Sequence, residues 1–123
     1  MDRLVEERIA QNDSTFRNAN ERIGAAAEAY DATMPIPFIC ECADPTCVDI
    51  VRLDLAEYEE IRQDSHRFFN IPGHEAVAQG AAVVVARRDG YVIVETIGHA
   101  AEVVDGLDER KGDERLEQAA REE

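Results

Sequence analysis

Cys40, Cys42 and Cys47 are the only cysteines in the chain, and they lie together in the run Phe-Ile-Cys-Glu-Cys-Ala-Asp-Pro-Thr-Cys-Val from Phe38 to Val48. The spacing C-x-C-x4-C suits a soft divalent cation. Zinc in structural sites takes four thiolate or imidazole ligands in a tetrahedron. One residue between Cys40 and Cys42 lets both sulfurs face one point in a bending strand. Four residues between Cys42 and Cys47 let the chain reverse and return the third sulfur. The fourth ligand must come from elsewhere, and the chain has three histidines, His66, His74 and His99. His74 is favoured, because it follows Pro72-Gly73, a tight turn that aims a ring rigidly. His66, in a helix–strand connection, is the runner-up. Glu41, Asp44 and Asp49 are oxygen donors, poorer ligands beside thiolates.

Other chemistry fits these residues less well. Buried free cysteines act as small hydrophobes, but clustering of all three argues for a joint task. A Cys40–Cys42 disulfide would close a strained small ring, and the count is odd. An iron–sulfur cluster usually takes four cysteines, so it would need a dimer. A catalytic zinc keeps three protein ligands and a water, and His74 as fourth ligand would close the site. Glu75 is the nearest candidate for a general base. The chain has no H-E-x-x-H, no G-x-S-x-G, no phosphate-cradling glycine loop and no deaminase pattern. The sequence therefore leans away from an enzyme.

The C-x-C-x4-C spacing resembles the post-SET motif of protein lysine methyltransferases over Cys40 to Cys47. That resemblance implies a zinc shared with a distant ligand; with nothing else here like a SET domain, it implies no methyltransferase activity. A wider resemblance rests on four blocks: Cys40 to Cys47, Leu55-Ala56-Glu57-Tyr58-Glu59, Pro72-Gly73-His74-Glu75, and Asp89-Gly90-Tyr91-Val92. Together they look like a group of short acidic proteins of high-GC bacteria, matched from the N-terminal helix to Glu102. It implies His74 as a ligand and points to no particular activity.

The 123 residues fit one domain, read as 1–104, followed by an acidic tail, 105–123, disordered or loosely helical. With 27 acidic against 13 basic residues, the formal charge of −14 repels phosphate backbones and anionic membranes. No apolar run approaches the ~20 residues of a membrane span, and the N-terminus has no apolar signal region. These features predict a cytoplasmic protein with reduced thiols.

The elements that must position the thiols are legible in outline. Leu4, Ile9, Phe16, Ile23, Ala27 and Tyr30 predict one long amphipathic helix over 3–30, with Asn12-Asp13-Ser14 a weak spot where it could break and restart as a helix pair, and with Arg17 and Glu21 placed to pair across the exposed face. Two prolines in 31–37 make a linker. Strands over 36–40 and 48–55 flank the cysteine turn, so the thiols sit at a hairpin tip. Asp54 and Glu57 predict a capping box for a helix over 55–63. Residues 67–71 read as a strand. Asp89-Gly90 predicts a two-residue hairpin with Arg88 facing Tyr91, Ala86 facing Ile93, Val84 facing Glu95, Val85 facing Val94 and Val83 facing Thr96. Both faces are apolar, so this hairpin should be covered on both sides. Ala100 to Val104 suits a helical turn. The expected fold is α+β: a long N-terminal helix or helix pair packed on a small antiparallel sheet, with a zinc knuckle at one hairpin tip. The expected function is a non-enzymatic zinc-binding regulatory or adaptor module that binds a basic protein partner. The helix stripe also suits a homodimer. A zinc–thiolate redox or metal sensor and a zinc hydrolase with an open site are the alternatives.

Overall fold

Asp2 opens the first helix: its carboxylate accepts the Leu4 amide at 2.8 Å, satisfying an orphan donor at the positive end of the helix dipole. The structure is a computed structural model that describes residues 2–30 and 33–110. Helix α1 runs Arg3–Ala29 without a break. Of the two courses left open at Asn12-Asp13-Ser14 the helix takes the unbroken one; Asp13 and Ser14 are buried, and tertiary packing overrides their weak helix propensity. Arg17 and Glu21 do not pair with each other. Arg17 turns inward to Glu41, and Glu21 turns to Arg62 and Arg110. Leu4 and Tyr30, at the two ends of the expected apolar stripe, are exposed.

The fold is α+β, with five described strands in two antiparallel sheets. Strands β1 (Ile36–Ile39) and β2 (Ile50–Leu53) form a hairpin in which Ile36 faces Leu53 and Ile39 faces Ile50. Helix α2 (Leu55–Arg62) follows, and its capping box forms: Asp54 accepts the Glu57 amide at 2.7 Å, and Glu57 accepts the Asp54 amide at 3.2 Å. Strand β3 (Arg67–Asn70), a short 3-10 helix (His74–Ala78), strands β4 (Ala82–Arg88) and β5 (Tyr91–Thr96), and helix α3 (Gly98–Leu107) complete the order. The second sheet is ordered β3-β5-β4.

The Asp89-Gly90 turn forms, with Gly90 at φ +87°, a conformation glycine takes without strain. Arg88 faces Tyr91 and Ala86 faces Ile93 as expected. A bulge between Val84 and Ala86 then shifts the register by one, so Val84 faces Val94, Val83 faces Glu95 and Ala82 faces Thr96. Coverage also differs from the expectation. The central strand β5 is buried along most of its length, whereas Val83 and Val85 of the edge strand β4 are exposed. Only the middle strand of three has neighbours on both edges, and a bulge on an edge strand discourages pairing with another chain.

The three-stranded sheet divides the core. One face carries Phe69, Tyr91 and Ile93, which meet Phe38, Val51 and Leu53 of the β1–β2 hairpin and Tyr58 of α2. Phe38 and Tyr58 stack with centroids 4.3 Å apart, and Phe69 stands edge-on to both. The other face carries Phe68, Val92 and Val94, packed against Ile9 and Ala10 of α1 and Ala100 and Val104 of α3. Helix α3 extends past the expected turn to Leu107, and beyond it Asp108 accepts from Arg62 at 2.8 Å. Of the tail expected from Asp105, residues 111–123 lie outside the described residues. Among the described residues no helix is long and apolar enough to cross a membrane.

Candidate metal centre

The connection between β1 and β2, residues 40–49, carries all three thiols. Asp44 shapes its reversal: the carboxylate accepts from the Thr46 amide at 2.9 Å and the Thr46 hydroxyl at 2.7 Å, and the Cys47 amide donates to the Asp44 carbonyl at 3.1 Å. The turn returns Cys47 toward Cys40. The Cys40 amide donates to the Asp49 carbonyl at 2.9 Å, which extends the hairpin ladder one step into the connection.

The imidazole arrives from the second sheet. After β3, the Ile71 amide donates to Cys40 Sγ at 3.2 Å. Gly73 takes φ +100°, and the His74 amide closes the turn on the Ile71 carbonyl at 3.0 Å. The turn sets His74 Nδ1 at 3.5 Å from Cys40 Sγ and 3.6 Å from Cys47 Sγ. One ligand atom from each of Cys40, Cys42, Cys47 and His74 lies within 4.8 Å of all the others. Zinc bonds of about 2.3 Å to sulfur and about 2.0 Å to nitrogen give a tetrahedron whose sulfur-to-nitrogen edges are about 3.5 Å. The two sulfur-to-nitrogen separations match that edge. The four residues therefore fit a single metal ion, and the three cysteines are themselves buried.

Burial governs the thiols. It pushes Cys40 up strongly, with the Ile71 amide working against it and the neighbouring thiols adding to it. It pushes Cys42 up to about 11, against a contact with the Asp44 backbone. A cation held here would have to displace the protons of these two groups, since it is the thiolate that binds metal.

A polar layer beneath the loop holds it on α1. Glu41, between the first two cysteines, is fully buried, and Arg17 grips it with two bonds of 2.7 and 2.8 Å. Arg17 also donates to the Arg67 carbonyl and lies 4.3 Å over the Phe68 ring. Asn20 imitates a β-strand: its amide nitrogen donates to the Ile39 carbonyl and its oxygen accepts the Ile39 amide, both at 2.8 Å. It thereby satisfies the free edge of β1. The Glu41 amide donates to the Phe69 carbonyl at 2.9 Å, tying the loop to the second sheet. Asp13 is buried in the same layer. Burial and the Glu41 charge hold its carboxyl well above the usual carboxylate range, against the pull of Arg17.

Each candidate ligand now has a place. Cys40, Cys42, Cys47 and His74 converge. His66 is elsewhere, with Nε2 at 2.9 Å from Asp105, and His99 sits between Glu7 and Glu102 at the α1–α3 contact. Glu41 is engaged by Arg17 and Asp44 by Thr46, while Asp49 lies behind His74 at 3.4 Å from Nε2. Glu75 points back to its own turn, accepting the Gly73 amide at 2.6 Å. The residues that sequence reasoning missed are Arg17 and Asn20. With Asp13 and Gly24 they form a buried stripe at helical intervals of four, three and four, a polar spacing that the sequence does not distinguish from a solvated face. No protein-family model matches the chain, nor does any curated protein or solved structure.

Proposed function

We propose that the chain binds one Zn²⁺ through Cys40, Cys42, Cys47 and His74 as a closed structural site, and that it works as a small non-enzymatic module binding another protein. The observation that carries this reading is the convergence of the four ligand atoms, with sulfur-to-nitrogen separations of 3.5 and 3.6 Å. Zinc is the metal that three thiolates and one imidazole suit best: thiolates disfavour the hard cations, and a tetrahedron suits an ion without geometric demands of its own. The ion would join the two sheets, since the thiols belong to the β1–β2 hairpin and the imidazole to the segment after β3. A hydrolytic zinc reserves one position for water. Here four side chains already converge, and Glu75 is held by its own turn. The net charge of −14 suits a basic partner.

Metal analysis of the purified protein, paired with thiol titration, tests the zinc assignment. One zinc per chain with slow thiol reactivity is the expected result. A metal-free protein with three rapidly reacting thiols would overturn it.

A further inference from the structure

We infer that Asp49 is a positioning residue for the metal centre, fixing His74 in the tautomer that leaves Nδ1 free to bind the ion. The inference rests on the zinc reading above. His74 presents Nδ1 to Cys40 and Cys47, so its Nε2 faces away from the sulfurs. Asp49 Oδ2 stands 3.4 Å from that Nε2. A neutral imidazole carries one proton. If Nδ1 lends its lone pair to a metal, the proton must sit on Nε2, where a carboxylate can accept it. Metal-bound histidines commonly use such an outer partner, which orients the ring and raises its basicity.

Asp49 is placed for this by the same hydrogen bond that places a ligand. Its backbone carbonyl accepts the Cys40 amide at 2.9 Å, so its position is fixed relative to the innermost thiol. The ring is fixed independently, by the turn through Gly73 and the His74 amide bond to Ile71. Two rigid backbone segments from different sheets thus bring carboxylate and imidazole together. Other groups near the ring have other partners: Asp44 is bonded to Thr46 and Glu75 to the Gly73 amide. The Asp49 side chain is more than half exposed, and 3.4 Å is long for a hydrogen bond. The effect of losing it therefore belongs at the lower end of the range for outer-shell partners, about tenfold in zinc retention.

The experiment compares the full chain with Asp49→Ala, Asp49→Asn and, as a charge control, Asp89→Ala in the β4–β5 turn. Zinc transfer to a chromophoric chelator gives the retention, and nitrogen-15 spectra of the histidine rings give the tautomer. Asp49→Ala should lose zinc about tenfold faster and weaken the Nε2–H signature of His74. Asp49→Asn, which keeps an acceptor oxygen, should recover part of the loss, and Asp89→Ala should match the wild type. Wild-type rates and an unchanged tautomer in Asp49→Ala would overturn the role of Asp49 while leaving the zinc site standing. A wild-type chain that takes up no zinc would overturn both. An equal effect from Asp89→Ala would reduce the role to bulk charge and overturn it too.

Discussion

The two hairpins of this molecule are held together by opposite means. The β4–β5 hairpin turns in two residues, Asp89 and Gly90, and its strands are seven and six residues long. Its instructions are local: a glycine at φ +87° and a run of β-branched residues on either side. The β1–β2 hairpin has strands of four residues and a connection spanning 40–49. Strands that short, joined by a loop that long, do not specify themselves. Their partners come from afar: Asn20 on the edge of β1, Arg17 on Glu41, Phe69 on the Glu41 amide, and His74 above the sulfurs. Local sequence closes one hairpin, and tertiary ties, with a cluster of side chains that could hold a metal ion, close the other.

The largest test removes the metal. Cys42→Ser should abolish stoichiometric zinc and cost roughly 3–5 kcal/mol. That is less than the ~10–16 kcal/mol a zinc-finger peptide gains from its ion, because this chain keeps a core of its own. Hydrogen exchange should then accelerate in 40–49 and around His74, with β4 and β5 protected almost as before. His74→Ala should follow the same pattern, whereas His66→Ala and His99→Ala should keep their zinc. Uniform loss of protection across both hairpins would erase the contrast between them.

The next test cuts the tie to α1. Arg17→Met leaves Glu41 buried without its charge partner, which costs about 3 kcal/mol in thermal or denaturant unfolding. Adding Glu41→Met should restore part of that loss, since an apolar pair can replace a buried ion pair. A double variant no more stable than Arg17→Met would show that Glu41 matters through its bonds to Asn20 and the Phe69 amide instead.

The local hairpin has its own probe. A Cβ at Gly90 would meet nothing within 4 Å, so Gly90→Ala carries only the cost of a left-handed backbone, about 1–2 kcal/mol. Zinc content and release should be unchanged. Faster zinc release from this variant would mean that the two hairpins are mechanically coupled.

The cluster joining α1 to α2 and α3 contributes independently of the metal. Burial pushes the Glu21 carboxyl up, but hydrogen bonds from Arg110 and Tyr58 and the charge of Arg62 outweigh it and hold the group below its ordinary value. A carboxylate with a depressed folded pKa adds stability above its unfolded value, and that stability is lost as the pH falls through the folded value. Glu21→Gln should therefore cost about 1 kcal/mol at pH 7, with the two curves converging in acid, because the cluster is partly solvated. The thiols are common to both proteins, so the difference between the curves isolates Glu21. A gap of constant size from pH 7 down through the ordinary carboxylate range, with no narrowing in acid, would assign the loss to packing.

What the sequence disclosed follows the same division. The run of three thiols, the α2 capping box and the Asp-Gly turn were legible because each is written in neighbouring residues. The bulge at Val85 was not, because it depends on how the edge strand lies against β5. The long helix α1 was legible in its periodicity, while the choice between an unbroken course and a restart at Asn12-Asp13-Ser14 was not, because local propensity is opposed there by burial. The inward roles of Arg17 and Asn20 were not legible, because a polar stripe on a helix is ordinarily solvated, and Glu41 showed itself only as an oxygen donor, not as the buried partner of Arg17. Only the fold reveals that this stripe faces inward.

The smallest expected effect bears on how closely α1 presses on the β1–β2 hairpin. Gly24 continues the buried stripe where α1 crosses the Phe38–Tyr58 stack. A Cβ there would lie 3.4 Å from Tyr58 Cε1 and 3.7 Å from Phe38 Cε1, ordinary contact distances. Alanine also gains up to about 1 kcal/mol of helix propensity over glycine. If both effects hold, Gly24→Ala raises stability by about 0.5 kcal/mol, the rest of the gain being offset by small adjustments of the rings. A loss of stability would mean that the stack cannot yield even a few tenths of an ångström. In that event the glycine is a packing requirement, and α1, through Gly24 as well as Asn20 and Arg17, sets the position of β1 before any metal arrives.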